Sequence, residues 1–301
     1  MTPLGNEHFD RFHSGAGQTI GARIRAATIR LQDAGLQGRE AAFDAELLAR
    51  CVLGWSRAKL LAHGDEPTSE EFTARFEALI ARRERREPAA QVLGRREFWG
   101  RDFEVTRDVL VPRPETELIV EAALDLYPGA PPSRVVDVGT GTGCLAVSLA
   151  LEWPGVDVIA TDVSEAALRV AADNAARHGA AGRVHLVRAD LLTGLAPGFD
   201  LVVSNPPYVR SGDRPALSPE VREYEPPVAL FGGADGLDVV RALLAEAAAA
   251  VRPRGHLLME FGAGQDDDVA ALVARQPMLR LEEIRCDLRG IPRMAVISRL
   301  G

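Results

Sequence analysis

The chain is predicted to be an α/β protein, with a mostly parallel sheet covered by helices, an antiparallel C-terminal strand and a small helical bundle in front. Three observations carry this reading. From Arg134 onward, short apolar runs alternate with helical stretches. Before residue 87 only helical spacing is found, and the last two strand-like runs lie too close together for a helix to cross between them. Alternation of strand and helix implies a parallel sheet with helices on its faces. A short connection between neighbouring strands implies an antiparallel pair.

Taken in order, residues 1–18 are polar and aperiodic, so a disordered lead-in is expected. Ile20, Ile24, Ala27 and Leu31 then recur at helical spacing, followed by Phe43, Leu47, Leu48 and Cys51, and by Phe72, Phe76, Leu79 and Ile80. Thr68 with Glu71 reads as a capping box opening the last of these helices. Arg82-Arg-Glu-Arg-Arg86 closes the helical segment 19–87, either as a solvated helix end favoured by the dipole or as a patch for a phosphate-bearing partner. Residues 88–112 turn to Pro, Gly, aromatics and alternating runs, which fits a β-hairpin linker whose Trp99 and Phe103 read as core before ligand contacts. In 113–301 the expected strands are Arg134–Val138, Asp157–Thr161, Val184–Arg188, Asp200–Ser204 and His256–Phe261, with helices starting near Gly143, Ser164, Gly236 and Gln265. Leu281–Cys286 and Met294–Arg299 form the closing pair, with Gly290 and Pro292 between them.

Composition narrows the function classes. The 301 residues are 47% hydrophobic, enough for a sizeable core, and no run approaches the length of a membrane span. The N-terminus lacks the pattern of a secretion signal, so a cytoplasmic protein is expected. Cys51, Cys144 and Cys286 are scattered without metal-ligand spacing, and His178, His185 and His256 do not form a site either, so no metal is expected. A net charge of −8 speaks against a broad grip on nucleic acid, which needs clustered cations.

The chemistry sits at the carboxyl ends of the strands, where open α/β sheets bind ligands. Asp137-Val-Gly-Thr-Gly-Thr-Gly143 follows the first strand and opens a helix. Gly141, Gly143 and Ala146 satisfy the dinucleotide fingerprint, so the loop suits an adenosyl cofactor whose anionic group is either a pyrophosphate or a carboxylate. Asp162 ends the second strand about 20 residues on, where a carboxylate accepts from ribose hydroxyls. Asp190 ends the third, either receiving an adenine amino group or capping the turn.

Asn205-Pro206-Pro207-Tyr208 follows the fourth strand. Two prolines hold the loop stiff, so its acceptors are placed before a substrate arrives. An amide or aromatic amine nitrogen is a weak nucleophile because its lone pair is delocalised. Asn205 Oδ1 and the Pro206 carbonyl can bind both of its N–H groups, and Tyr208 can stack on the flat group. Neither acceptor is a strong base, so the electrophile must arrive activated. A sulfonium methyl meets that demand, whereas a nicotinamide cofactor would call for a His, Lys or Tyr acid or base to which the sequence assigns no place.

The pairing of these two loops resembles the Class I S-adenosylmethionine-dependent amino-methyltransferases. Glu87-Pro-Ala-Ala-Gln-Val-Leu-Gly94, Arg96-Glu-Phe-Trp-Gly100, Val111-Pro-Arg-Pro-Glu-Thr-Glu117, Glu225-Pro-Pro-Val-Ala-Leu230 and Gly290-Ile-Pro-Arg293 narrow the likeness to the release factor glutamine methyltransferases, from about residue 20 to the C-terminus. The resemblance implies a Rossmann-like Class I methyltransferase sheet and N5-methylation of the Gly-Gly-Gln glutamine in class 1 peptide chain release factors, by a protein expected to be monomeric. It implies catalysis by Asn205, Pro206 and Tyr208, substrate binding by these three with Pro207, and S-adenosyl-L-methionine bound by Gly139, Thr140, Gly141, Thr142, Gly143, Asp162, Asp190, Leu191 and Asn205. Leu191 departs from the aromatic residue many members carry there, so contact with adenine would be apolar. Segment 19–87 would help recognise the release factor. The Asn-Pro-Pro-Tyr loop is shared with nucleic-acid amino-methyltransferases acting on adenine or cytosine, which stand as the alternative. Arg113, Glu115 and Glu117 read either as a substrate-side cluster or as the acidic first turn of a helix reaching Leu126, and Glu225 as a lid residue or a surface carboxylate.

Overall fold

A computed structural model describes residues 19–301, and the lead-in expected over 1–18 lies outside them. The chain divides into two compact units between Leu93 and Gly94.

The first unit is helical: α1 (Ile20–Asp33), α2 (Gly38–Leu53), α3 (Arg57–His63), α4 (Glu70–Glu84) and α5 (Ala89–Leu93). Three of the helices open on a hydroxyl cap. Thr19 accepts from Ala22 N, Ser56 from Lys59 N and Ser69 from Phe72 N. The cap of α4 is therefore Ser69 and not Thr68, whose hydroxyl accepts from Arg23 Nε instead. Ile20, Ala27, Leu31, Ala41, Ala45, Leu48, Phe72, Phe76 and Ile80 form the core. Phe43, which the spacing put inside, is 60% exposed; small Ala41 and Ala45 take the buried stripe of α2 and let the helices approach closely. The short α5 falls in the segment read as hairpin linker.

The arginine run is a solvated helix end only in part: Arg85 is exposed, while the other three arginines are engaged within the bundle. Arg82 bonds the Glu87 carboxylate and the carbonyls of Gln91 and Val92, while Arg86 reaches the carbonyls of Ala34 and Gly35. Arg83 is buried and meets Asp44 at 2.7 Å and Glu40 at 3.0 Å. Arg83 thus ties the bundle together from inside, and Arg82 and Arg86 do so from its half-buried margin.

The second unit starts with a hairpin, β1 (Arg95–Phe98) and β2 (Arg101–Glu104), whose Phe98 and Phe103 meet edge to face in the core. A 3-10 turn at Pro114–Thr116 leads into α6 (Glu117–Leu126). Then come β3 (Val135–Val138), α7 (Cys144–Glu152), β4 (Val158–Asp162), α8 (Glu165–Arg177), β5 (Val184–Arg188) and β6 (Phe199–Ser204). The short α9 (Pro219–Tyr224), α10 (Asp238–Ala250), β7 (Val251–Glu260), α11 (Asp266–Ala274), β8 (Leu279–Cys286) and β9 (Pro292–Arg299) complete it.

The seven-stranded sheet runs β5-β4-β3-β6-β7-β9-β8, parallel from β5 to β7 and antiparallel at β9 and β8. Every residue of β3 and β6 is buried, because α6 and α7 cover one face and α10 and α11 the other. That two-sided burial is why these strands read as unbroken apolar runs. Successive strands move outward in opposite directions from the β3–β6 pair, which makes its carboxyl end the topological switch point. In that pair Val138 lies opposite Ser204, so the two loops that follow leave the sheet side by side.

Candidate active site

The loop after β3 takes left-handed backbone at Gly139, Gly141 and Gly143. At Gly143 space is also short, since a Cβ there would sit 3.1 Å from the Ala171 Cβ. At Gly139 and Gly141 the missing side chain leaves open floor. The loop ties up several of its own donors. Gly139 N and Thr140 N both reach Thr161 O, Gly143 N reaches Thr140 O, and Gly141 N reaches the Asp162 carboxylate. What these four positions present to a ligand is close backbone approach, more than free N–H groups.

Two aspartates brace this loop differently. Asp137 is fully buried, and its Oδ2 accepts from Thr140 Oγ1 at 2.6 Å and Ala146 N at 3.1 Å, while Oδ1 has no partner. Burial pushes its carboxyl up to about 7. Asp162 is half-buried, accepts from Gly141 N and Ser164 N, and keeps further lone pairs for a ligand. Asp190 is exposed, and the turn there is closed by its main-chain carbonyl accepting from Thr193 N. Leu191 has φ +51°, and its carbonyl accepts from Thr161 Oγ1.

The loop after β6 is held from three sides. Val209 N reaches Leu230 O, Gly232 N reaches Val209 O, and Gln265 Nε2 reaches Tyr208 O. Gly236 permits the approach, because a Cβ on it would lie 2.3 Å from Tyr208 O. Asn205 donates from Nδ2 to Thr116 Oγ1 at 2.9 Å; Thr116 donates to Glu260 Oε2 at 2.6 Å; Tyr208 OH donates to Glu260 Oε1 at 3.1 Å. Burial pushes the Glu260 carboxyl up to about 7, against the lowering effect of those two hydroxyls, and raises the Tyr208 phenol as well.

A cavity of about 230 Å³ opens between the two loops, lined among others by Gly139, Gly141, Asp162, Leu191, Asn205 and Pro206. Thr140, Thr142, Asp190 and Pro207 also face it. A smaller one of about 100 Å³ shares Arg113, Asn205 and Pro206 with it and adds Tyr208, Val221 and Leu230. Two expected site residues stand apart from the larger cavity: Gly143 packs against Ala171, and Tyr208 borders the smaller one.

The Arg113 guanidinium meets Glu225 at 2.5 Å, and Glu225 is 4% exposed, so it is no surface carboxylate. Burial raises its carboxyl although Arg113 works the other way. Glu117 accepts from Trp99 N, and the Trp99 indole donates to Glu152, which binds that residue into the hairpin's packing. Glu115 lies 3.8 Å from Arg289. Sequence reasoning gave no role to Thr116 or Glu260; the available signal was an acidic residue ending the apolar run of β7 at the ligand edge of the sheet.

Residues 23–94 match the family model of the PrmC N-terminal domain, and residues 116–218 that of the methyltransferase small domain. The release factor glutamine methyltransferase of Cereibacter sphaeroides is 47% identical over 92% of this chain and 97% of its own length. That of Bradyrhizobium diazoefficiens is 39% identical over 99% of both. Among solved structures, the hMettl16 catalytic domain in complex with a MAT2A 3′UTR hairpin superposes with a TM-score of 0.57 at 18% identity, covering 71% of this chain and 81% of that one, a likeness of fold alone. With identity of this level along nearly its whole length, the chain belongs to the release factor glutamine methyltransferase family.

Proposed function

We propose that this chain transfers a methyl group from S-adenosyl-L-methionine to the side-chain amide nitrogen, N5, of the Gly-Gly-Gln glutamine in class 1 peptide chain release factors. The observation that carries this reading is the placement of Asn205 and Pro206 as the shared wall of two cavities, one floored by the glycine loop and one bordered by Tyr208. The larger cavity fits the cofactor. Its floor at Gly139 and Gly141 is open where a Cβ would stand, and Asp162 retains acceptor capacity for ribose hydroxyls. Thr140 and Thr142 would flank the methionine part, with Asp190 and Leu191 at the adenine.

The cofactor supplies an activated sulfonium methyl. The chain's own residues supply orientation. Asn205 Oδ1 and the Pro206 carbonyl accept the two N–H bonds of the glutamine amide, which turns the nitrogen lone pair toward the larger cavity. Both acceptors bind more strongly as positive charge grows on that nitrogen, so they favour the transition state over the bound amide. The surplus proton leaves to solvent after transfer. The helical unit, which matches the PrmC N-terminal domain, would recognise the release factor.

No helix among the described residues is long and apolar enough to cross a membrane. We place the reaction in the cytoplasm, with the enzyme as a monomer; sedimentation at micromolar concentration checks the latter. The net charge of −8 favours a protein acceptor over nucleic acid. The deciding experiment offers labelled S-adenosylmethionine together with a release factor, its Gly-Gly-Gln glutamine variant, RNA and DNA. Label on the native factor and not on its variant is expected; label on nucleic acid alone would overturn the reading.

A further inference from the structure

We infer that Thr116 and Glu260 are positioning residues that decide which end of the Asn205 amide faces the methyl acceptor, a step that rests on the reading proposed above. An Asn side chain can present either its oxygen or its NH2 group, and the two ends have nearly the same shape. Only the oxygen can accept an N–H of the substrate amide. A rotated Asn205 would aim two donors at two donors.

The hydrogen-bond relay removes that ambiguity by counting protons. An ionised Glu260 is acceptor-only. Its Oε2 takes the single Thr116 proton at 2.6 Å, and its Oε1 takes the Tyr208 proton at 3.1 Å. With its proton committed, Thr116 Oγ1 can only accept from Asn205, so Nδ2 turns to it at 2.9 Å and Oδ1 is left for the substrate. Thr116 and Glu260 are 3% and 1% exposed, so no bulk water competes for these bonds. The three residues come from different places, the 3-10 turn before α6, the end of β7 and the loop after β6, and Thr116 lines the larger cavity beside Asn205.

Protonation would reverse the relay. A proton on Glu260 Oε2 can be donated to Thr116 Oγ1, which frees the threonine proton for Asn205, where only Oδ1 can receive it. The amide then turns its NH2 group to the substrate. The charged and titratable groups bearing on Glu260 are Glu115 from the 3-10 turn, Tyr208 from the catalytic loop, Arg293 from β9 and Cys144 from α7. Arg113 and Arg293 also act on Tyr208.

The test compares single-turnover methyl transfer to a release factor by the unaltered chain, Thr116→Val, Thr116→Ser and Glu260→Gln between pH 6 and 8.5, with cofactor affinity measured by calorimetry. Thr116→Val is expected to lose roughly tenfold to hundredfold in rate with cofactor affinity kept, and Thr116→Ser to recover most of it. The unaltered chain should slow as pH falls through about 7, where Glu260 takes up its proton. Glu260→Gln should be slower at pH 8 and lose that acid limb. A rate in Thr116→Val within twofold of the original overturns the relay. So does equal damage in the serine variant, or an acid limb that survives Glu260→Gln. Should the valine variant fail to fold, the serine variant and the pH profile decide alone. If the unaltered chain moves no methyl at all, the activity reading fails separately. The relay is then judged from the Asn205 side-chain amide resonance, which should shift in Thr116→Val and return in Thr116→Ser.

Discussion

Both units contain buried ion pairs, Arg113 with Glu225 in the second being one, but among the described residues only the second also buries carboxylates that no cation meets. In the helical unit a buried cation meets a buried anion, since Arg83 lies 2.7 Å from Asp44 and both are nearly inaccessible. In the catalytic unit Asp137 and Glu260 are buried against hydroxyls and an amide N–H, with no guanidinium in bonding reach, and burial pushes both carboxyls up to about 7. A paired cation and anion brace the scaffold from within. An uncompensated carboxylate is costly to ionise and leaves the site poised to change its hydrogen bonding near neutrality. The bundle is arranged for shape, and the sheet edge for chemistry.

Substitutions can break that contrast. The largest effect is expected from Arg83→Met, which strands Asp44 without its guanidinium and should destabilise the helical unit by about 3 to 5 kcal/mol in denaturant titration, leaving cofactor affinity unchanged. Full stability in this variant would show that the pair contributes nothing. Asp137→Asn sharpens the other side of the contrast. Because the folded-state pKa of Asp137 is raised from 3.8 to about 7, the stability it contributes is fully present below pH 3.8 and lost as pH climbs through 7. The unaltered chain should therefore lose roughly 4 kcal/mol more than the variant between pH 4 and 7.5. Parallel stability profiles would remove the assignment.

Smaller effects are expected from residues that act on ligands. Asn205→Ala should slow methyl transfer about a hundredfold or more, on the order of 3 kcal/mol, while calorimetry finds the cofactor still bound. Turnover at the original rate would deny it a catalytic role. Asp162→Ala should weaken cofactor binding about tenfold, on the order of 1.4 kcal/mol. An unaltered dissociation constant would mean that its carboxylate only closes the loop through Gly141 and Ser164.

Legibility in the sequence followed the range of the interactions. The strands β3 and β6 were readable because burial on both faces demands an unbroken apolar run, which local text can display. Both loops were readable for a related reason, as glycine and proline act on their own backbone. Helix α3 and helix α5 were missed, being 7 and 5 residues long and too short for periodicity to register. Phe43 was misplaced because three or four apolar residues fit more than one helical face, and the neighbours that choose between faces lie in other helices. The arginine run looked like surface because its acceptors, Asp44 and the Gly35 carbonyl, lie 39 and 51 positions away. Thr116 and Glu260 are 144 positions apart, and only the closed fold brings their oxygens together.

The pairing of Val138 with Ser204 has a consequence for how such an enzyme changes over time. The gap between the floor that would hold the methyl donor and the loop that would hold the acceptor is measured out by backbone hydrogen bonds between two strands, of which only the last residues, Val138 and Ser204, line the larger cavity. A slip of one residue would turn every side chain of a strand to the other face, so the spacing cannot drift by small steps. The wall formed by Val221 and Leu230, which border the smaller cavity and not the larger, lies beyond that ruler. If that wall receives the acceptor side chain, replacing it would alter which side chain is admitted while the reach of the transfer stayed where the sheet put it.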